Sequence, residues 1–564
     1  MKDHTASGPD DIPIGVFRVA ATHGELLQIM NELMGMETLP DELVKGFLSP
    51  LYKKGSPLEA SNYRPVTLLS QVLKVMNKMI LIRLRTALDP FLLPMQAAYR
   101  EHRSTLHNML ALNHLIHRSV KAHNHPLYGV FCDFSKCFDS VHRTRLEKVL
   151  HAYAVPENIV SFIMRSMDQQ KLAVRFAGGA PSDFVIHPRF GVMQGCTLAP
   201  FLFVIVMDAI LRCLPVIDGL PYAHQKRLAA MAYADDVILL SDTAKGAQRL
   251  LDTFTVKAKE FGFHLNPGKG KTEPMKFGDA RNTRIYLGDV HIPYAKEYKY
   301  LGGIVNPEAD WKSDFSKRKK QAWYLMRRFQ DVWKCDVHRD VKRRLFQALI
   351  VPVLTYAAPL YPLTKTMYRH LHVTCNSLLR RALNEPANWK NPDQHMHTEE
   401  LYGPMPTLPA SLAYQIVTAF GHYVRHTPDS PVVGVLAGEL NVRNKRTHTR
   451  LNPRVNLERL TGLEFADILT MAAGSAQPNL RKAYTQLACD AAQRIEHDLF
   501  LFALKRRRGA RLSDQQFNDI LSERTNVIKA WWLKVTKRKS RTDRIATCHL
   551  TWQSKRENFE RSTC

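Results

Sequence analysis

Two adjacent carboxylates, Asp235 and Asp236, stand between two apolar runs, and this arrangement constrains the chain more than any other stretch of it. Leu228-Ala229-Ala230-Met231-Ala232 leads into Tyr233-Ala234-Asp235-Asp236, and Val237-Ile238-Leu239-Leu240 leads away. Short apolar runs separated by a few polar residues predict a β-hairpin with the acids at its turn. A tight turn holds carboxylates rigidly, as two-metal phosphoryl transfer requires when its cations lie about 4 Å apart. Asp-Asp is also a common solvated turn, so the hairpin by itself leaves both uses open.

The charge balance points to a polyanionic partner. Lys and Arg number 79 against 52 Asp and Glu, a formal net charge of +27 over 564 residues. Each neutralised phosphate releases a condensed counterion, which favours nucleic acid over other partners. A hydrophobic content of 45% supports sizeable cores and argues against a largely disordered chain.

The nine cysteines include no Cys-x-x-Cys pair, which argues against a zinc ribbon or knuckle and fits a reducing compartment. The first thirty residues, broken by Asp3, Asp10 and Asp11, hold no signal-peptide core. The apolar stretch from Leu345 to Leu363 is interrupted by Pro352, Pro359 and Pro362. It reads as a buried helix and turn, and no membrane partner is expected.

Upstream of the hairpin, Tyr128-Gly129-Val130-Phe131-Cys132-Asp133 ends an apolar strand in a carboxylate. A helical pattern follows through Val141, Leu146, Val149 and Leu150. Asp133 is placed either to cap that helix or to be a third metal-binding carboxylate, with the Phe134 carbonyl as a further oxygen ligand. Between strand and hairpin lies Gly191-Val192-Met193-Gln194-Gly195-Cys196-Thr197-Leu198-Ala199-Pro200, a loop before a long apolar helix from Phe201 to about Leu214. Gln194 on such a loop can touch a base or sugar, and its glycines allow close backbone approach.

Taken in order, Asp133 to Asp139, Gln194-Gly195 with Pro200, and Tyr233 to Asp236 resemble the three palm motifs of a reverse transcriptase. Leu51-Tyr52-Lys53-Lys54-Gly55 and Asn62-Tyr63-Arg64-Pro65-Val66 resemble its fingers segment, and Gln96 to Thr105 the next block. Gly262 to Asn266 before Lys271-Thr272-Glu273, and Tyr300-Leu301-Gly302, resemble the two blocks after the hairpin. Ser7 to Pro13 looks like the amino-terminal block of non-long-terminal-repeat (LINE-type) retrotransposon and group II intron enzymes. The likeness covers residues 5 to about 305, with a weaker one through Ile350-Val351-Pro352 and Leu378 to Leu383. Ala98 stands where the family usually has Gly, and Ala199 where Ser is common. Two residues inserted after Asn266 leave either Lys269 or Lys271 as the lysine of its block; Lys271, in Lys-Thr-Glu, is favoured.

The resemblance implies an α+β right-hand polymerase: fingers, a palm with a small antiparallel sheet, and a helical thumb, followed by a mainly helical C-terminal region. The expected divisions are 1–305, 306–385 and 386–564, with 386–406 read as a linker. It implies an RNA-directed DNA polymerase that extends a DNA primer, or nicked target DNA, with dNTPs on an RNA template. Asp133, Phe134, Asp235 and Asp236 would hold two Mg²⁺ ions, Mn²⁺ being the substitute, and Lys271 would protonate pyrophosphate. Lys54, Arg64, Phe134, Phe138, Gln194, Gly195 and Tyr233 would bind the nucleotide, with Phe138 as the aromatic gate against a 2′-hydroxyl. An RNA-dependent RNA polymerase, for which Asp139 would sit near the sugar, and a decayed or domesticated RNA-binding protein are the alternatives. The chain opens almost at the first polymerase block, so an endonuclease is expected on a missing segment or another protein. An intracellular site of action is expected, the nucleus or a cytoplasmic ribonucleoprotein. Basic clusters at Lys505 to Arg508 and Lys537 to Arg544, with Trp531-Trp532 between them, suit single-stranded nucleic acid.

Overall fold

The computed structural model describes residues 7–526 apart from 20–22, 54, 123–124, 177–178, 224–225, 279–282, 309, 362–363, 386–395, 427–452, 476, 509–512, 514, 517, 521 and 524–525. Lys54, Trp531-Trp532 and the cluster from Lys537 to Arg544 thus lie outside the described residues. The architecture is α+β, and the chain divides into two compact units, with residues 1–309 in the first and 310–428 together with 439–564 in the second.

The first unit contains two four-stranded sheets. One joins β1 (Lys45–Tyr52), β2 (Tyr63–Leu69), β4 (Lys171–Val174) and β5 (Val185–Ile186) in the order β2-β1-β4-β5. The other is antiparallel throughout and joins β3 (Leu127–Cys132), β8 (Ala230–Tyr233), β9 (Asp236–Ser241) and β10 (Glu273–Phe277) in the order β10-β3-β9-β8. Three two-stranded ribbons complete the unit: β6–β7 (Leu220–Ala223, Lys226–Leu228), β11–β12 (Ile285–Leu287, Val290–Ile292) and β13–β14 (Tyr298–Tyr300, Gly303–Val305).

The second sheet positions the acids. Its central strands are continuous apolar runs, and all of β3 and Val237–Ser241 of β9 are buried. Helix Ala244–Glu260 packs on β3 and β9, its Leu250, Leu251 and Phe254 fully buried. The expected apolar helix runs over Ala199–Arg212 and is buried nearly all round, with Pro200 in its first turn. The edge strand β8 is covered as well. Ala232 N–H donates to the Met95 carbonyl (3.1 Å), and the Ala232 carbonyl accepts from Ala97 N–H (3.0 Å) and Asn108 Nδ2 (2.8 Å). Segment 95–97 thereby continues the sheet beyond its last named strand, and no bare edge is left at Ala232.

The second unit is helical through Lys312–Arg328, Arg339–Leu349, Val351–Thr355, Lys365–Leu383, Leu408–His426, Phe465–Gly474 and Pro478–Arg508. From Leu345 to Tyr361 the expected stretch is helix and turn, as its prolines predict, and among the described residues no helix is long and apolar enough to cross a membrane. Residues 396–406, expected as part of a linker, are instead packed. A short helix Thr398–Tyr402 buries Leu401 and Tyr402, and Arg343 donates to the carbonyls of Leu401 (3.1 Å) and Glu400 (2.6 Å). Leu401 and Tyr402 are bulky apolar side chains in a window read by its Pro, Asn and His content.

Asp208, with no exposed surface, anchors the long apolar helix. Its carboxylate accepts from Leu93 N–H (2.6 Å), Tyr153 Oη (2.5 Å) and Arg212 Nε (2.7 Å). Asp208→Ala leaves a buried amide and a phenol unpaired, and is expected to cost about 2–4 kcal/mol of stability. Urea unfolding followed by far-UV dichroism measures it.

Candidate active site

Tyr233 pairs with Asp236, so the turn of the hairpin is Ala234-Asp235 and both acids stand at the open end of the sheet, exposed. Ala234 has a left-handed φ of +57°, which costs an L-residue roughly 1–2 kcal/mol. Its N–H donates to the Gln96 side-chain oxygen (3.1 Å). Opposite, Cys132 pairs with Val237, and one further step along each strand sets Asp133 beside Asp236. Asp133 therefore meets the adjacent pair Asp235-Asp236, distant in sequence, at one strand end.

Asp133 is clamped from its other side. Its carbonyl accepts from Asn266 N–H (2.9 Å), its N–H donates to Thr272 Oγ1 (3.3 Å), and its carboxylate accepts from Asn266 Nδ2 (2.9 Å) and Lys271 Nζ (3.1 Å). With Asp133 C=O and Ser135 N–H both engaged toward 264–266, the pleat turns the Phe134 carbonyl to the opposite side, where β9 lies. The Phe134 ring is buried against Phe254 and Phe263. Asp133 thus does not serve as a helix cap.

The two candidate lysines are separated in space. A bridge from Pro267 to Thr272 closes residues 268–270 into a small turn, with Gly268 at φ +121° and Gly270 at +73°. Lys271 emerges beside Thr272, and it is the lysine brought to Asp133.

Like charge governs the electrostatics. Local burial, then repulsion from Asp235 and Asp133, pushes the Asp236 carboxyl up to about 6, with Lys299 opposing. The Asp236 side chain still reaches solvent, so the two carboxylates are the cause that a bound cation would remove. Burial and the Asp235 carboxylate, which accepts from the Cys137 thiol, hold that thiol well above its usual range. The donor set of hard carboxylate oxygens fits a hard divalent cation, and the Lys271 ammonium already occupies a cation's place on Asp133. Among the described residues no three His, Cys, Asp or Glu side chains are gathered into a preformed metal cage.

The glycine loop lies against the same end of the first unit. Thr67 N–H donates to the Gln194 carbonyl (2.6 Å), and Gln194 Nε2 donates to Asp139 Oδ1 (3.2 Å). Burial raises the Asp139 carboxyl above its usual range, while Gln194 and Lys136 oppose. Phe138 is half-buried and stacks on Phe203 at 4.4 Å with 12° between the rings. Arg64, exposed on β2 opposite Leu51, and Asp235 both act on the Tyr99 phenol. Burial first and then Asp235 raise that phenol, and Arg64 lowers it. Tyr233 is half-buried at the base of the turn.

Gln96, Asn266, Thr272, Cys137, Tyr99 and Lys299 are contributors that residue patterns did not single out. Gln96 and Tyr99 stood inside a recognised block, as did Asn266 and Thr272, and only their contacts separate them from their neighbours.

A carboxylate-bearing hairpin beside a strand ending in Asp, in an antiparallel sheet backed by helices, defines a polymerase-type palm. Residues 51–305 match the family described as reverse transcriptase (RNA-dependent DNA polymerase), and the curated relatives of the chain are polymerases of non-long-terminal-repeat retrotransposons. It is similar to the Pol polyprotein of type-2 retrotransposable element R2DM of Drosophila melanogaster, 28% identical over 53% of this chain and 28% of that one. It is also similar to that of type-1 element R2 of Popillia japonica, 25% identical over 61% of this chain and 47% of that one. The probable RNA-directed DNA polymerase from transposon BS of Drosophila melanogaster is 24% identical over 66% and 42%. The chain thus spans less than half the length of these curated relatives. An apo telomerase from Candida tropicalis, truncated from its C-terminal domain, superposes with a TM-score of 0.35 and 13% identity over 50% of this chain and 57% of that one.

Gly195 has a φ of +129°, and a Cβ there would lie 2.1 Å from the Thr67 carbonyl oxygen. Because that obstacle is backbone, Gly195→Ala must displace the loop. A loss of nucleotide addition of about 100-fold or more is expected, the scale of a misplaced site. Single-turnover primer extension measures it, and unchanged thermal unfolding would show that the loop alone has moved.

Proposed function

We propose that this protein is an RNA-directed DNA polymerase that extends a DNA primer 3′-hydroxyl with dNTPs on an RNA template, serving retrotransposition. The observation that carries the reading is the meeting of Asp133, Asp235 and Asp236 at one end of the antiparallel sheet. Two Mg²⁺ ions, or Mn²⁺ in their place, held by these carboxylates and the Phe134 carbonyl would acidify the primer hydroxyl and neutralise charge on the triphosphate and pyrophosphate. Lys271 holds a proton close to that charge and can deliver it to the leaving pyrophosphate. Arg64 offers a forked guanidinium to the triphosphate, and Lys54 a point charge. Gln194, tied to Asp139, presents a fixed amide to the nucleotide over the glycine loop. With a nick in target DNA as its primer, the proposed site of the reaction is the nucleus.

Asp235→Asn keeps the shape of the turn and removes a charge that holds the cations. It should abolish DNA synthesis while leaving RNA binding nearly unchanged; primer extension and filter binding read the two. Near-wild-type synthesis would remove Asp235 from the site.

The choice of DNA over RNA synthesis rests on Phe138. Its stack on Phe203 fixes the ring, and in the proposed site the exposed side of that ring fills the space a 2′-hydroxyl would need. Forcing an oxygen into a packed site costs roughly 1–3 kcal/mol, about 5- to 150-fold discrimination. Phe138→Ala should raise ribonucleotide incorporation relative to deoxyribonucleotide, measured by competition between ATP and dATP at one template position. Equal depression of both substrates would make Phe138 a core residue only, and a wild type that prefers ATP would mark an RNA polymerase.

A further inference from the structure

Gln96 is fully buried, and its side-chain oxygen accepts two backbone N–H groups, those of Ala98 (3.1 Å) and Ala234 (3.1 Å). The second belongs to the turn residue before Asp235, which is the residue held at a left-handed φ. Among the described residues Gln96 Nε2 is buried with no hydrogen-bond partner. A buried orphan donor is unfavourable, so the amide is not there to satisfy itself. Leu or Met at this position would avoid the orphan but offer the turn no acceptor. The strip that carries Gln96 is itself fixed. Met95 and Ala97 bracket Ala232 through backbone hydrogen bonds, Gln96 N–H donates to the Leu93 carbonyl (3.2 Å), and Arg100 Nη1 donates to the Gln96 carbonyl (3.0 Å). The oxygen therefore reaches the turn from a rigid base.

We infer that Gln96 is a positioning residue for the metal-binding turn: its side-chain oxygen holds Ala234 left-handed and so aims the Asp235 carboxylate. This rests on the polymerase reading above. Gln96 touches neither substrate nor cation in this role; it acts through one backbone N–H. Residues that orient a metal ligand typically change metal affinity or activity about 10- to 100-fold when replaced.

The experiment uses the full chain and four proteins: wild type, Gln96→Met, Ala234→Gly and Gln96→Met with Ala234→Gly. Met keeps the volume and removes the acceptor, and Gly adopts a left-handed φ without an acceptor's help. Mn²⁺ binding, followed by loss of the free-ion electron paramagnetic resonance signal, gives a readout independent of turnover. Thermal unfolding reports whether the fold is intact. Gln96→Met should bind Mn²⁺ about 10- to 100-fold more weakly and extend primers more slowly by a similar factor, with KM for RNA template unchanged. Adding Ala234→Gly should restore at least a third of each loss. Mn²⁺ affinity of Gln96→Met equal to wild type overturns the inference while leaving the polymerase reading intact. A deficit that Ala234→Gly does not relieve also overturns it, since a cavity defect at Gln96 would be indifferent to the turn's φ. A Gln96→Met protein too unstable to assay hands the decision to Gln96→Glu, which keeps the acceptor. A Glu variant that folds and binds Mn²⁺ within threefold of wild type supports the inference, and one that folds and binds it more than tenfold worse counts against it. Wild type that neither binds Mn²⁺ nor extends a primer would sink the polymerase reading itself.

Discussion

Carboxylates of like charge do not gather without help, and the first unit is organised around making three of them share one strand end. At a separation near 4 Å and a surface-like dielectric, two such charges repel by about 4 kcal/mol. Burial first, and then the Asp235 and Asp133 carboxylates, push the Asp236 carboxyl up to about 6. What holds the acids is apolar: buried β3 and β9, paired from Tyr128–Ser241 to Cys132–Val237, cannot slip by one residue without turning their side chains to the other face. Helices Ala199–Arg212 and Ala244–Glu260 supply the burial that makes such a slip costly. The polar residues then partition the residual strain. Lys271 and Asn266 relieve Asp133, the Cys137 thiol touches Asp235, and Lys299 acts on Asp236.

Much of this was legible in the sequence because it is local. The hairpin follows from two apolar runs about Tyr233 to Asp236, Asp133 from a strand that stops, and the helix Ala199–Arg212 from the apolar run that begins at Phe201. What could not be read are contacts that join distant segments. The clamp on Asp133 comes from residues 266–272, more than 130 positions later. The strip at Met95–Ala98 that covers β8 has no strand-like pattern, since it contributes only backbone groups to Ala232 and one amide to the turn. The parallel pairing of β1 with β4 joins Lys45–Leu48 to Lys171–Val174, which no local signal announces. The left-handed Ala234 is invisible for another reason. Ala carries no preference for that conformation: the two-residue hairpin demands a positive φ at its first turn position, and the Gln96 contact supports it there.

The lysine block shows how an insertion that confuses spacing is absorbed by structure. A reading by distance from Asn266 counts through residues that the chain loops out. The Pro267–Thr272 bridge restores the register on the far side of that loop, so Thr272 meets Asp133 N–H and Lys271 its carboxylate. Two glycines at positive φ make the detour possible without dragging the strand that follows, Glu273–Phe277, out of its pairing with β3. Insertions are tolerated where backbone groups on either side re-pair, and spacing then ceases to be a guide.

The same pair gives the site an order of events on the proposed reading. An ammonium on Asp133 and a divalent cation compete for one carboxylate, and the cation brings twice the charge with oxygen ligands from Asp235 and Asp236 as well. Lys271 is half-exposed on a flexible stem, whereas Asp133 is fixed through its N–H, its carbonyl and Asn266. Asp133 would therefore hold a cation without moving, and Lys271 is the partner free to swing aside. A released Lys271 remains within one side-chain length of the acids, where a triphosphate's charge would accumulate. The ammonium that neutralises Asp133 here would then be placed to meet the leaving group.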